Sequence, residues 1–224
     1  MKSIRAKITK SPKYISSLVD QYAEGKLTYD ELEQLIGVSQ LARRKKLIDQ
    51  ITELRAEKEH EKWLKDFKNS RCKVLWLYGE AGLGKTAYAK QLVQGKKYAI
   101  LGSSRDYFQD YNGEHYIILD DLRPRDFNYS DLLRILNPYQ HDKAAPSRYH
   151  DKKLNVEEII ITAPYPPEDF YKYTFVDDRR VDTVEQLLRR IQPLHITEHF
   201  IKKRLKNLSK TIKKMLRLCK YFSN

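Results

Sequence analysis

Hydrophobic and polar positions follow two rhythms along this chain, helical as far as Phe67 and strand–helix alternation beyond it. The segment YISSLVDQYAEG reads as a helix closing at Gly25, a suitable residue just past a helix end. TYDELEQLIG follows, with Thr28 and Glu31 in capping-box spacing and Gly37 as its stop. Ser39 is placed to cap a third, longer helix reaching Phe67, with Leu47, Ile48, Ile51 and Leu54 along one side. Such thin apolar stripes bury little alone, so these helices must pack on one another, on the next domain or on another copy of the chain. From Arg71 the pattern predicts strands at 73–78, 97–101, 115–120 and 157–162, and helices at 85–93, 129–136 and 182–191. Alternation of this kind implies a parallel sheet with crossover helices. Beyond it, Ile201, Leu205, Leu208, Ile212, Met215, Cys219 and Phe222 recur in steps of three and four, predicting a final amphipathic helix.

The 224 residues are enough for one α/β domain and a smaller element. The formal charge is +13, and nine Lys/Arg with no Asp or Glu lie between Phe200 and the C-terminus. A basic excess concentrated in one tail points to a polyanionic partner. No apolar run approaches membrane-spanning length and no signal-type start is present, so a soluble, non-secreted chain with no membrane partner is expected. Cys72 and Cys219 have no metal-ligand spacing and read as buried or incidental thiols of a reducing cytoplasm. The expected organisation is a basic arm (1–13), a helical segment (14–66), an α/β domain (70–192) and a basic helical tail (193–224).

The chemistry is concentrated in LWLYGEAGLGKTAYAK. Gly79, Glu80, Ala81, Gly82, Leu83, Gly84, Lys85 and Thr86 fill the P-loop pattern G-x-x-x-x-G-K-[ST], between an apolar strand and a helix start. Bare backbone there lets several N–H groups and the positive helix end converge on a polyphosphate. Lys85 is placed to reach the β- and γ-phosphates, and the Thr86 hydroxyl to ligate Mg²⁺. A strand ending in two adjacent carboxylates, YIILDD, supplies the rest. Asp120 is expected on the Mg²⁺, through water, and Asp121 as the general base toward the attacking water.

The order of P-loop, IILDD, EEIIITAPYPPEDFY and VEQLLRRI resembles the superfamily 3 helicase domain over residues 70–192, as found in Rep replication initiators of rolling-circle plasmids and small circular single-stranded DNA viruses. The resemblance implies an AAA+-like ATPase assembling as a homo-oligomeric, hexameric ring and translocating on single-stranded DNA. Residues 14–66 stand where relatives carry an oligomerisation collar. PSRYHDKKL stands where relatives project a DNA-gripping hairpin, making Arg148, His150, Lys152 and Lys153 the DNA-contact candidates. Arg189 and Arg190 match the family's arginine pair, one of which completes a neighbour's ATP site; spacing does not choose between them, and either can instead be a structural ion-pair residue. The implied compartment is the bacterial cytoplasm for a plasmid protein, or the host nucleus for a viral one.

The chain also departs from that pattern. The family's sensor asparagine aligns with Pro164, which has no side-chain donor, leaving Thr162 or another residue to substitute. No His-hydrophobic-His pair is present, and residues 1–59 contain no histidine, so nicking is not expected of this chain, whether it is a portion of a longer initiator or a helicase-only relative. A non-translocating ATPase switch such as a helicase loader, a small-molecule kinase and an RNA-directed motor of the same family are the competing readings.

Overall fold

The first helix, α1 (Pro12–Ala23), begins where the Ser11 hydroxyl accepts the Tyr14 N–H at 3.2 Å and Pro12 occupies a first-turn position that needs no donor. It stops at a left-handed Gly25 (φ 79°), with the Gly25 N–H on the Tyr22 carbonyl and the Lys26 N–H on that of Gln21. These details come from a computed structural model that describes residues 11–102, 106–147 and 151–204. The basic arm therefore lies outside the described residues up to Lys10, and the helix begins at Pro12, two residues before the expected bound at 14. The tail from 205 onward is also outside them; residues 198–204 are helical.

Helix α2 (Tyr29–Ile36) opens with the expected capping box: the Thr28 hydroxyl accepts the Glu31 N–H, and the Glu31 carboxylate accepts the Thr28 N–H at 2.8 Å. The expected long third helix is two helices, α3 (Val38–Arg43) and α4 (Lys45–Asp66). Gly37, at φ 80°, sits at the N-cap in place of Ser39, which lies inside the first turn. At Arg44 the backbone N–H reaches back to the Leu41 carbonyl, tightening the turn and interrupting the helix. Of the four expected apolar positions, all within α4, Ile48 is buried and Ile51 half-buried, whereas Leu47 and Leu54 are exposed. Leu18, Val19, Tyr22, Leu32 and Ile48 form this unit's core, so the helices pack on one another. Arg55 lies 4.6 Å over the Tyr22 ring and donates to the Tyr22 carbonyl, tying α4 to the end of α1.

The chain divides into two units, the first ending at Asp66 and the second starting at Phe67. In the second, β1 (Lys73–Tyr78) leads through the P-loop into α5 (Lys85–Leu92). Then come β2 (Tyr98–Leu101), β3 (Tyr116–Leu119), α6 (Tyr129–Ile135), a small hairpin of β4 (Ala144–Ala145) and β5 (Lys152–Lys153), and β6 (Glu158–Ala163). Helices α7 (Pro167–Tyr173) and α8 (Val184–Leu188) precede the last strand, β7 (Gln192–His195). Strands β2-β3-β6-β1-β7 form one parallel sheet in that order, an architecture consistent with a P-loop ATPase domain.

Both faces of the sheet are covered, which explains why its central strands read as continuous apolar runs. Ile159, Ile160 and Ile161 are all fully buried, Ile160 toward Ala89 and Val93 on one side and its two neighbours toward Phe170, Leu187 and the α6 residues on the other. The helix expected over 182–191 is shorter, and its end gives way to β7, which the pattern did not predict. Pro193 lies in that strand, a residue tolerated at a sheet edge because one of its sides has no ladder to join.

Candidate nucleotide site

The P-loop hangs from the C-terminal end of β1, and its first glycine has no alternative. A Cβ on Gly79, at φ 147°, would stand 2.3 Å from the Ile196 carbonyl oxygen, just beyond β7. That carbonyl is held there because the Ile196 N–H bonds the Tyr78 carbonyl at 2.7 Å. Gly84, left-handed at φ 75°, starts α5 without any side-chain cap, so the helix presents backbone donors at its N-terminus. The Lys85 ammonium donates to the Gly79 and Glu80 carbonyls, both at 2.8 Å, folding over the loop it belongs to. Burial holds its pKa below the ordinary lysine value, with Asp121 and Asp120 pulling it upward and Arg123 pushing it down.

Thr86 and Asp120, distant in sequence, meet here. The Thr86 hydroxyl donates to Asp120 Oδ1 at 2.7 Å, and the Thr162 hydroxyl donates to the same oxygen at 2.8 Å. The Asp120 backbone is anchored too: its N–H bonds the Leu101 carbonyl, and its own carbonyl accepts from the Tyr107 hydroxyl at 2.8 Å. Burial, followed by the charges of Asp126, Asp120 and Asp121, pushes the Tyr107 phenol far up, so it serves there as a neutral donor. A hydroxyl and a carboxylate converging beside a phosphate cradle suit Mg²⁺, which takes few protein ligands and completes its shell with phosphate oxygens and water. The residues present fit both groups.

Asp121 departs from its neighbour. Its backbone is left-handed (φ 52°), its carboxylate is exposed, and both of its oxygens accept from Arg123 Nη2, at 2.8 and 2.6 Å. Sequence reasoning placed Asp121 correctly at the strand's end but missed Arg123, since nothing in DDLRPRD marks it as a partner. It missed Tyr107 as well, which no motif contains.

The other candidates lie elsewhere. Arg189 caps α8 and Arg190 follows it, two residues before Gln192 pairs with Leu75; β7 then runs parallel to β1 toward the P-loop. Both arginines therefore sit at the start of β7, toward the end of the strands opposite their own P-loop. Arg190 lines a cleft between α6 and α8 with Arg134, Asn137 and Gln186. Its Nη1 donates to the Gln186 carbonyl, while its buried Nε has no hydrogen-bond partner. Burial first, and then the charge of Arg189, lower its pKa. Lys152 and Lys153 form β5, paired antiparallel with Ala145 and Ala144 ahead of β6. Lys153 reaches Asp142 at 3.2 Å, and Lys152 is half-buried. Arg148 and His150 lie outside the described residues. Lys152 and Lys153 are not brought to the P-loop, since they precede the start of β6, where Glu158 pairs with Lys73.

Comparison with known proteins agrees with this geometry. The family model described as RNA helicase matches residues 75–164, from β1 to the residue after β6. A protein named "Replication protein" from Onion yellows phytoplasma (strain OY-M) is 35% identical over 144 residues, covering 62% of this chain and 37% of its own length. The chain thus spans little more than a third of that relative. Among the described residues, no helix is long and apolar enough to cross a membrane.

Proposed function

We propose that this chain, which carries a superfamily 3 helicase-type domain of the kind found in a replication protein, is an ATP-driven motor on single-stranded DNA. The observation that carries the reading is the 2.7 Å bond from Thr86 to Asp120, which joins the head of α5 to the end of β3 beside the P-loop. Two residues that pattern alone nominates for one metal ion are already together.

In this reading the loop amides and Lys85 bind the β- and γ-phosphates, Lys85 exchanging its carbonyl partners at Gly79 and Glu80 for phosphate oxygens. Thr86 and Asp120 hold Mg²⁺, which when bound neutralises charge on those oxygens. Asp121 takes the proton of the attacking water, for which its ion pair with Arg123 has to open. Because Arg189 and Arg190 sit toward the end of the strands opposite the P-loop, an arginine for this site comes from a neighbouring copy. That requirement supports a ring oligomer, with residues 14–66 as its collar and the exposed Leu35, Val38, Leu47 and Leu54 as apolar surface for the next copy. Lys152 and Lys153 grip the phosphate backbone without reading bases. The compartment that follows is the cytoplasm of a bacterial host for a plasmid protein, or the nucleus for a viral one, with rolling-circle replication as the setting.

The matched family's description favours one second reading, a motor acting on RNA. Steady-state ATPase of the full chain, alone and with single-stranded DNA or RNA, run beside a sizing measurement, tests both. Stimulation by DNA in an oligomeric fraction is expected. Stimulation by RNA alone selects the second reading, and turnover indifferent to either strand points to a non-translocating switch.

A further inference from the structure

We infer that Thr162 is the positioning residue that assigns different work to the two adjacent carboxylates, Asp120 and Asp121. The inference rests on the ATPase reading above and concerns how its site is held together.

Thr162 makes three bonds at once. Its hydroxyl proton goes to Asp120 Oδ1 at 2.8 Å, while its hydroxyl oxygen accepts the Asp121 N–H, also at 2.8 Å. Its backbone carbonyl accepts the Leu122 N–H, again at 2.8 Å. The polarity is fixed, because a carboxylate and a backbone N–H leave the hydroxyl only one way to donate and one to accept. The consequences differ for the two acids. Asp120 is held toward Thr86, its other hydroxyl donor. Asp121 is held in a left-handed turn at φ 52°, which costs a non-glycine residue on the order of 1 kcal/mol and persists only when its surroundings over-determine it. Successive bonds to Asp121 and Leu122 from one buried residue provide that. Thr162 itself cannot drift, being 1% exposed on β6 between β3 and β1, opposite Leu77. Pro164, two residues on, offers no side-chain donor, so the hydroxyl of Thr162 is where β6 reaches the carboxylates.

The test compares the full-length wild type with Thr162→Val, which keeps the branched shape and removes both hydroxyl bonds, and Thr162→Ser, which keeps them. A fluorescent ATP analogue is titrated first in EDTA and then against Mg²⁺, and ATP turnover and thermal unfolding are measured in parallel. Removing a group that orients a metal ligand typically costs 10- to 100-fold in metal affinity or activity, so the Val protein should need about tenfold or more Mg²⁺ and lose turnover by a similar factor. Analogue binding in EDTA should be unchanged, and Ser should restore both quantities to within about threefold of wild type. If the Val protein does not fold, Thr162→Cys, with a weak donor of similar size, carries the same comparison. A Val (or Cys) protein with wild-type Mg²⁺ requirement and turnover overturns the assignment of Thr162 alone. A wild-type chain that neither binds nor hydrolyses ATP overturns the ATPase reading and this inference with it.

Discussion

Replacing Arg123 with glutamine separates two roles for the cation that faces Asp121. The guanidinium bonds both Asp121 oxygens, yet the two side chains are 49% and 62% exposed. Ion pairs this wet are worth roughly 0.2–1 kcal/mol, so closing the pair withdraws Asp121 from reaction by about 1.4- to fivefold and no more. If the pair only restrains the base, Arg123→Gln should raise basal ATP turnover within that range. An exposed pair is also screened by salt, so the ratio of variant to wild-type turnover should approach one as ionic strength rises toward about 0.5 M. The assay is steady-state ATPase of both full-length proteins without nucleic acid, across a salt series. The opposite sign is equally readable. Arginines that stabilise phosphoryl-transfer charge contribute about a thousandfold or more. A fall in turnover beyond about tenfold at every salt concentration would refute the restraint and place Arg123 on the phosphates, near Lys85, whose pKa its charge already depresses.

Lys85→Ala should abolish turnover while leaving the unfolding temperature nearly unchanged, because the ammonium touches loop carbonyls rather than core; near-wild-type hydrolysis in a purified, folded variant refutes the P-loop assignment. For Arg190 as the crossing arginine, mixing Lys85→Ala with Arg190→Ala, each then inactive alone, should recover part of the activity, since the first lends its arginine to the intact P-loop of the second. The same mixture with Arg189→Ala decides which arginine crosses, and recovery with neither removes the arginine from the neighbour's site. Lys152→Ala/Lys153→Ala should weaken single-stranded DNA binding without regard to sequence. The slope of log affinity against log salt should become shallower by about 0.7 for each phosphate that the variant no longer neutralises, while basal ATPase persists; an unchanged slope means the hairpin is not the grip.

The candidate nucleotide site was legible in the sequence to the extent that its proposed chemistry depends on residue type at fixed spacing. A P-loop needs Gly79, Gly84, Lys85 and Thr86 in order, and a metal-side carboxylate needs a buried strand to deliver it, so both could be read directly. The covered sheet was legible for the same reason: IIIT and YIIL are apolar almost without interruption because neither face meets water. What escaped depends on how distant segments meet. Thr162 could be named as a substitute donor, but its bonds to Asp120 and Asp121 follow from β6 lying beside β3. Strand β7 carries Gln192 and Pro193, which oppose a strand reading until the edge of β1 gives them a partner. The interruption at Arg44 lies within a run of good helix formers, where Gly37 sets the start two residues before the expected cap and local preference contains no stop.

The left-handed backbone at Asp121 also governs how this site can be used as a tool. That conformation is tolerated by aspartate and asparagine, whose short side chains bond locally, and resisted by longer residues. Asp121→Asn should therefore keep the turn intact and stall the chain with nucleotide in place. Extending the side chain to Glu or Gln would disturb the Thr162 anchor as well as the chemistry. For imaging the proposed motor on a nucleic-acid strand, asparagine at this position is the substitution expected to block hydrolysis without rebuilding the turn.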